Sequence, residues 1–365
     1  MDTVILPYIT AYCLAVIATI ILVAKSASWL GFIDSPNSRS SHKGLIPRIG
    51  GIGIFVPYIL FGIIILLYST TSPYDKVYWT VLTVVVVLGI IDDRFNIRAR
   101  WKFLVQFSLA AYYIFASGNY IDSFHGLLGI QEVPETLGII FSTFLMVFII
   151  NSVNLIDGVD GLCAAVSLLA LFFFMDIMGG DHFVSFLFLS LGLIIFLWFN
   201  FSTKYKVFLG DAGSLGLGAV LAMLTLNLLF SGNGYAGRLD MNPMLVVFVI
   251  LGYPIIDTLR VFIIRVYVGV SPFCADRRHI HHALLNLGFS HFEISLLIPT
   301  LTICAALINK YCIAFMNCNS ALFFNGVLFF MLYLFIRHRS RYIQNWYRGR
   351  NQKATATAPS QMRKA

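Results

Sequence analysis

Eleven runs of apolar residues, near positions 3–24, 51–68, 77–91, 101–117, 137–153, 160–178, 183–200, 213–230, 243–263, 293–308 and 320–336, fill most of this 365-residue chain. A helix that crosses a bilayer needs roughly 20 apolar residues, so eleven would use about 220 positions and leave about 145 for loops and tails. No separate soluble domain fits in that remainder. Only 12% of the residues are charged, against about 25% in a soluble domain, too few to cover so much apolar surface in water. The expected fold is therefore all-α and integral to the membrane, a polytopic bundle of about eleven transmembrane helices. The first run follows Asp2 rather than a basic segment and has no clear small-residue cleavage site, so it reads as a retained span.

Lys and Arg placement orients the bundle, because cytoplasmic segments are enriched in both. With the N-terminus outside, 22 of the 25 basic residues fall on the inner side and only Lys76, Arg238 and Lys310 on the outer. The C-terminus is then inside. Residues 337–365 hold eight basic residues and no acid, equal to the whole formal net charge of +8. Such a segment is attracted to anionic headgroups by roughly 1 kcal/mol per charge. We expect residues 1–336 to form one transmembrane domain and 337–365 a disordered basic tail whose partner is anionic membrane lipid, not nucleic acid. The six cysteines show no metal-binding spacing and read as packing residues; Cys312 and Cys318 flank an outer loop where a disulfide is a minor alternative.

Acids at membrane depth are costly, so their positions are informative. Nine of the seventeen fall on the inner side, most of them in short motifs at span ends. G-I-I-D-D-R-F-N (89–96) closes the third run with Asp92 and Asp93 adjacent. Two carboxylates at a helix C-terminus oppose the macrodipole and repel each other, so a cation must compensate. Arg94 and Arg98 could supply it as a surface cluster; a Mg²⁺ or general-base site is the functional reading.

N-S-V-N-L-I-D-G-V-D-G-L (151–162) places Asn154, Asp157 and Asp160 at intervals of three, on neighbouring positions of one face, with Gly158 and Gly161 allowing close approach. Capping of the sixth helix accounts for one of the two aspartates but not both. Y-K-V-F-L-G-D-A-G-S-L-G-L-G (205–218) puts Asp211 among glycines at a helix start, with Lys204 and Lys206 beside it and Phe208 offering a flat face for a base. Asp211 reads either as an N-cap or as a ligand of Mg²⁺ bridging phosphate oxygens. S-P-F-C-A-D-R-R-H-I-H-H (271–282) collects Arg277, Arg278, His279, His281 and His282, a phosphate clamp in preference to a zinc site. His42, Lys43 and Arg48 add cationic donors in the first inner loop, and Asp257 and Arg260, three apart, can pair on one helix.

In this order along the chain, D-D-R, N-L-I-D-G-V-D-G-L, V-F-L-G-D-A-G-S and H-I-H-H resemble the polyprenyl-phosphate N-acetylhexosamine-1-phosphate transferases, over about Gly31 to Phe289. Within that family, His-Ile-His-His at 279–282 is similar to the branch using UDP-GlcNAc and undecaprenyl phosphate, whereas the muramoyl-pentapeptide branch carries three consecutive histidines there. The resemblance implies that Asp92 and Asp93 engage or deprotonate the lipid phosphate, that Asp211 binds Mg²⁺ (or Mn²⁺) with Asp92 and Asp93 close by, and that Asn154, Asp157 and Asp160 lie near the nucleotide. It sets Phe208 beside the uracil and makes Lys43, Arg265 and His279 cationic positions for phosphate or sugar, with Arg277, His281 and His282 completing the clamp. Asn96 stands where an aspartate would be usual, which argues against a third acid there.

The activity so implied is Mg²⁺-dependent transfer of GlcNAc-1-phosphate from UDP-GlcNAc to undecaprenyl phosphate, giving undecaprenyl-diphosphate-GlcNAc and UMP at the start of lipid-linked O-antigen or enterobacterial common antigen synthesis. UDP-FucNAc and UDP-QuiNAc are alternative donors. The implied setting is the bacterial cytoplasmic (inner) membrane, multi-pass, with the N-terminus periplasmic and the C-terminus cytoplasmic; a homodimer is a further expectation. From another class, a secondary transporter competes and calls for a polar site near the midplane.

Overall fold

The computed structural model describes residues 2–34, 44–68, 73–231, 234–235, 239, 241–271, 278–312 and 316–356. Every apolar run becomes helix. In order these are α1 (Asp2–Leu30), α2 (Gly50–Tyr68), α3 (Pro73–Phe95), α4 (Ala99–Ser117), α5 (Glu135–Leu155), α6 (Leu162–Met178), α7 (Phe183–Phe201), α8 (Gly210–Leu229), α9 (Pro243–Ile250), α10 (Gly252–Tyr267), α11 (Ile280–Asn286), α12 (His291–Cys312) and α13 (Cys318–Ala356). The all-α expectation meets one exception, an antiparallel pair of two-residue strands, β1 (Ile33–Asp34) and β2 (Ile46–Pro47).

Among the described residues, seven helices are long and apolar enough to cross a membrane: α1, α2, α5, α7, α8, α12 and the first part of α13. An eighth span results if α9 and α10, bent by 78° at their junction, are counted together. The three other expected spans fall outside this count because α3 and α4 carry charged residues near their ends, and α6 has only 17 residues. The bend falls at Leu251, just before Gly252 and Pro254, and proline removes a helical N–H. The chain is a multi-pass helical membrane protein.

Helix α8 is the axis, with every residue from Ala212 to Leu229 buried. Small residues let its neighbours reach its backbone. A Cβ on Gly51 of α2 would lie 2.0 Å from the Gly213 nitrogen, one on Gly89 of α3 2.4 Å from the Ala212 Cα, and one on Gly218 2.7 Å from the Ile150 carbonyl oxygen of α5. These contacts bring the C-terminal ends of α3 and α5 against the start of α8. At the other end of the sequence, α13 continues through Ala356, so the expected disorder from 337 is corrected over 337–356. Arg, Gln, Lys and Ala are good helix formers and extend a helix already nucleated in the membrane. Residues 357–365 lie outside the described part, whereas Cys13, Cys163, Cys304 and Cys318 are free thiols, which removes the disulfide alternative for Cys318.

Candidate active site

The site grows from the junction of α3 with α8. Asn96 ends α3 in the left-handed conformation, φ +49°, with its N–H on the Asp92 carbonyl. Asn tolerates that backbone well, so its job here is to stop the helix. Asp92 and Asp93 thus sit in the last turn, beyond the apolar run 77–91, and both are buried. Asp92 accepts from Lys102 Nζ at 2.6 Å and from the Ile97 N–H at 2.7 Å. Lys102 of α4, rather than Arg94 or Arg98, is its compensating cation.

Asp93 does something the sequence did not reveal. Its two carboxylate oxygens accept the N–H groups of Asp211 and Ala212 at 2.8 and 2.9 Å, satisfying the open amides at the start of α8. Gly210, at φ +73°, is required there, because a Cβ would lie 2.7 Å from an Asp93 oxygen. The N-cap alternative for Asp211 is thereby corrected: Asp93 caps α8 from another helix, and the Asp211 side chain is released. Asn154 Nδ2 donates to Asp211 Oδ1 and to Ser214 Oγ, both at 2.7 Å.

The acids are crowded. The carboxyls of Asp92 and Asp211 lie close enough for one to act on the other. Burial, then the Asp211 charge, push Asp93 up to about 7 despite its amide partners. Burial, then the charges of Asp211, Asp93 and Asp160, drive Asp157 well above the ordinary carboxylate range. A site with this much repulsion favours a cation.

Among the described residues no three His, Cys, Asp or Glu side chains converge tightly enough to hold an ion unaided. Mg²⁺ does not require that, since it usually takes one or two carboxylates together with substrate phosphates and water. The Asp92–Asp211 pair fits such a site. Both oxygens of Asp93 serve the amides of α8, whereas those of Asp92 accept from Ile97 and Lys102.

The turn between α5 and α6 supplies the next wall. Asn151, one turn before Asn154, donates to Gln106 Oε1 of α4 at 2.6 Å. Asp157 follows, half-buried. Asp160 accepts from Lys206 Nζ at 2.6 Å, and His291 Nδ1 of α12 lies 3.1 Å from its carboxylate. Burial alone would raise the Asp160 carboxyl, but its hydrogen bonds to His291 and Lys206, with their charges, outweigh that and hold it below the usual range. Lys206 also lies 5.7 Å from the Phe208 ring centroid. Residues 47–51 run beside 208–209, with Phe208 N–H on the Pro47 carbonyl and the Gly50 and Gly51 N–H groups on those of Phe208 and Leu209. This pairing fixes Phe208 at the entrance to α8.

The histidines close the opposite wall. A Cβ on Gly158 would lie 2.8 Å from His281 Nε2, so this glycine lets the α5–α6 turn touch the histidine motif. His281 Nδ1 lies 3.1 Å from the Tyr253 hydroxyl, and burial, then the nearby His282, push its imidazole down to about 3. His281 is therefore neutral at ordinary pH. His279 stacks parallel to it, ring centroids 5.5 Å apart, and its Nδ1 lies 2.9 Å from Asp257 Oδ2. The rings of His281 and His282 are 4.4 Å apart. Among the described residues the three histidines are not joined by a fourth His, Cys, Asp or Glu into a metal-holding group.

The structure thus gathers Asp92, Asp93, Asn154, Asp157, Asp160, Phe208, Asp211, His279, His281 and His282 at one end of the bundle. Arg265 is buried near the end of α10, two turns past Asp257. Lys43 and Arg277 lie outside the described residues. Sequence reasoning missed Lys102, Gln106 and His291 as partners of site residues, since each stands within or beside an apolar run far from its motif.

Residues 76–229, which include both aspartate motifs and the α8 glycines, match the family described as glycosyl transferase family 4. The undecaprenyl-phosphate alpha-N-acetylglucosaminyl 1-phosphate transferase of Haemophilus influenzae is 31% identical over 346 residues, covering 92% of this chain and 95% of the relative. Proteins of the same description from Yersinia pestis and Escherichia coli (strain K12) are 30% and 29% identical, covering 80% and 78% of this chain and 79% and 76% of theirs. By these relatives and by its four motifs, the chain belongs to the polyprenyl-phosphate N-acetylhexosamine-1-phosphate transferase family.

Proposed function

We propose that this protein transfers GlcNAc-1-phosphate from UDP-GlcNAc to undecaprenyl phosphate. The carrying observation is the gathering of Asp92, Asp93 and Asp211 at the start of α8, walled by Asn154 and Asp157 on one side and by the histidine stack through Gly158 on the other. Acids for a metal, a flat ring and donors for phosphate are there combined at one membrane face. The names of the relatives support the same donor and acceptor.

In this reading an oxygen of the lipid phosphate attacks the β-phosphorus of the nucleotide sugar, and the bond from that phosphorus to the bridging oxygen breaks to release UMP. A bound Mg²⁺ or Mn²⁺, held by Asp92 and Asp211, would offset the diphosphate charge. Asn154 orients Asp211, Lys102 balances Asp92, and Phe208 offers its face to the uracil. His279, with Lys43, Arg265 and Arg277, provides cationic donors for phosphate. His279→Ala should lower kcat/KM for UDP-GlcNAc about 10- to 150-fold, the worth of one hydrogen bond to a charged group.

The setting belongs to the same proposal: eleven crossings of a bacterial inner membrane, N-terminus periplasmic, C-terminus cytoplasmic, with the product feeding O-antigen or enterobacterial common antigen synthesis. The test is formation of a labelled sugar-lipid from radiolabelled UDP-GlcNAc, UDP-FucNAc or UDP-QuiNAc by membranes containing the protein, with and without Mg²⁺. Solute accumulation without sugar-lipid would favour transport instead. One broken pair, α9 and α10, is present among the described residues, but its Asp257 is bound to His279 of the site just described.

A further inference from the structure

Asp257 reads from the sequence as half of an intramembrane ion pair with Arg260. The structure gives it a second bond that the pairing does not explain. It is completely buried, and its carboxylate accepts from four donors: the Arg260 guanidinium Nη2 at 2.5 Å and Nε at 3.2 Å, the Ile280 N–H at 3.2 Å, and His279 Nδ1 at 2.9 Å. A carboxylate only accepts, so Nδ1 carries a proton and donates it. That bond fixes the position of Nδ1 and the plane of the ring. The remaining nitrogen, Nε2, is buried and has no partner among the described residues, in a residue only 3% exposed. An unpaired imidazole nitrogen in such a place needs a ligand to satisfy it.

Other contacts hold the carboxylate still. Arg260 Nη2 also donates to the Arg278 carbonyl at 2.8 Å, and its guanidinium lies over the Tyr333 ring of α13 at 4.2 Å. The parallel His281 ring backs His279 from the other side. Asp257 lies six residues past the 78° bend between α9 and α10, against His279 at the start of α11.

We propose that Asp257 is a positioning residue: it holds His279 by Nδ1–H so that Nε2 faces a phosphoryl oxygen of the nucleotide-sugar diphosphate, and Arg260 serves to hold Asp257. This rests on the transferase reading above. The contact offered to the anion is a hydrogen bond at Nε2, on a ring held through Nδ1–H by the Asp257 carboxylate; no covalent step is involved.

The experiment is a double-mutant cycle on the full-length protein, with kcat and KM measured for UDP-GlcNAc alongside thermal melting. Asp257→Asn and His279→Ala should each lower kcat/KM about 10-fold or more, and the double variant should be no worse than His279→Ala alone, because Asp257 acts through the ring. Arg260→Met leaves the carboxylate and imidazole together and should retain more activity than Asp257→Asn. Where Asp257→Asn does not fold, Asp257→Glu keeps the charge but displaces it by one methylene, and should reduce kcat/KM with little change in Tm. Additive losses in the double variant, or an Arg260→Met loss as deep as that of Asp257→Asn, would overturn the inference and leave a structural ion pair. A wild type inactive with every nucleotide sugar would overturn the transferase reading, and this inference with it.

Discussion

At the scale of single residues, two adjacent aspartates have been given different work by their surroundings. Asp92 faces Lys102 and Asp211, whereas Asp93 holds two amides of α8. Removing an N-cap acceptor costs roughly 1–2 kcal/mol, so Asp93→Ala should lower stability by about that much and displace Asp211 as well. Asp92→Asn should lower turnover with a smaller loss in Tm, and the two losses of activity should be non-additive because both act on the placement of one cluster. Thermal melting beside kinetics separates them; equal Tm values for the two variants would refute the division. Asp211→Asn keeps shape but loses a hard anionic ligand. Mg²⁺ or Mn²⁺ should therefore raise the Tm of the wild type and leave that of Asp211→Asn unchanged, a readout that needs no substrate.

At the scale of elements, the sequence showed where helices would lie but not which ends would meet. Each apolar run announced its helix by length alone, and the four motifs stood out because acids and glycines are rare among so many apolar residues. The partner of Asp93 was hidden, because its bonds go to backbone amides 118 and 119 positions away, which any residue type could supply. Lys102 looked like a positive-inside marker, and Asp257 like half of an i,i+3 pair, since local spacing cannot show that a bent helix carries Asp257 to His279. The helical course of 337–356 was obscured by its charge, which is compatible with a helix projecting beyond the bilayer. The α5–α6 turn yields a pH prediction. His281 has a folded value near 3, below the unfolded value of about 6.5, so its contribution to stability is present above pH 6.5 and is lost as pH falls toward 3. At pH 5 the loss is about 2 kcal/mol, at 1.36 kcal/mol per unit. Melting curves of wild type and His281→Asn should diverge near neutrality, where the variant has lost the packed ring, and converge as pH falls; a constant gap from pH 8 to 5 would count against a buried neutral imidazole.

At the scale of the whole molecule, charge is segregated along the chain. The eight basic residues from Arg337 onward equal the net charge of +8, so the other basic residues balance the acids. A protein already held by its apolar helices does not need these charges as an anchor. On the proposed topology we expect them to select which lipids surround the cytoplasmic end of the bundle. Truncation after residue 340 removes Arg341, Arg348, Arg350, Lys353, Arg363 and Lys364, each worth roughly 1 kcal/mol of attraction near an anionic surface. The Arg260–Tyr333 contact and the site above it are left in place. In nanodiscs of neutral lipid the truncated and full-length proteins should therefore turn over alike. In discs rich in anionic lipid only the full-length protein should respond to lipid composition, and that response should fade as salt rises and the screening length falls from about 10 Å at 0.1 M to about 3 Å at 1 M. Equal sensitivity to anionic lipid before and after truncation would move the lipid contact from the tail to the inner loops.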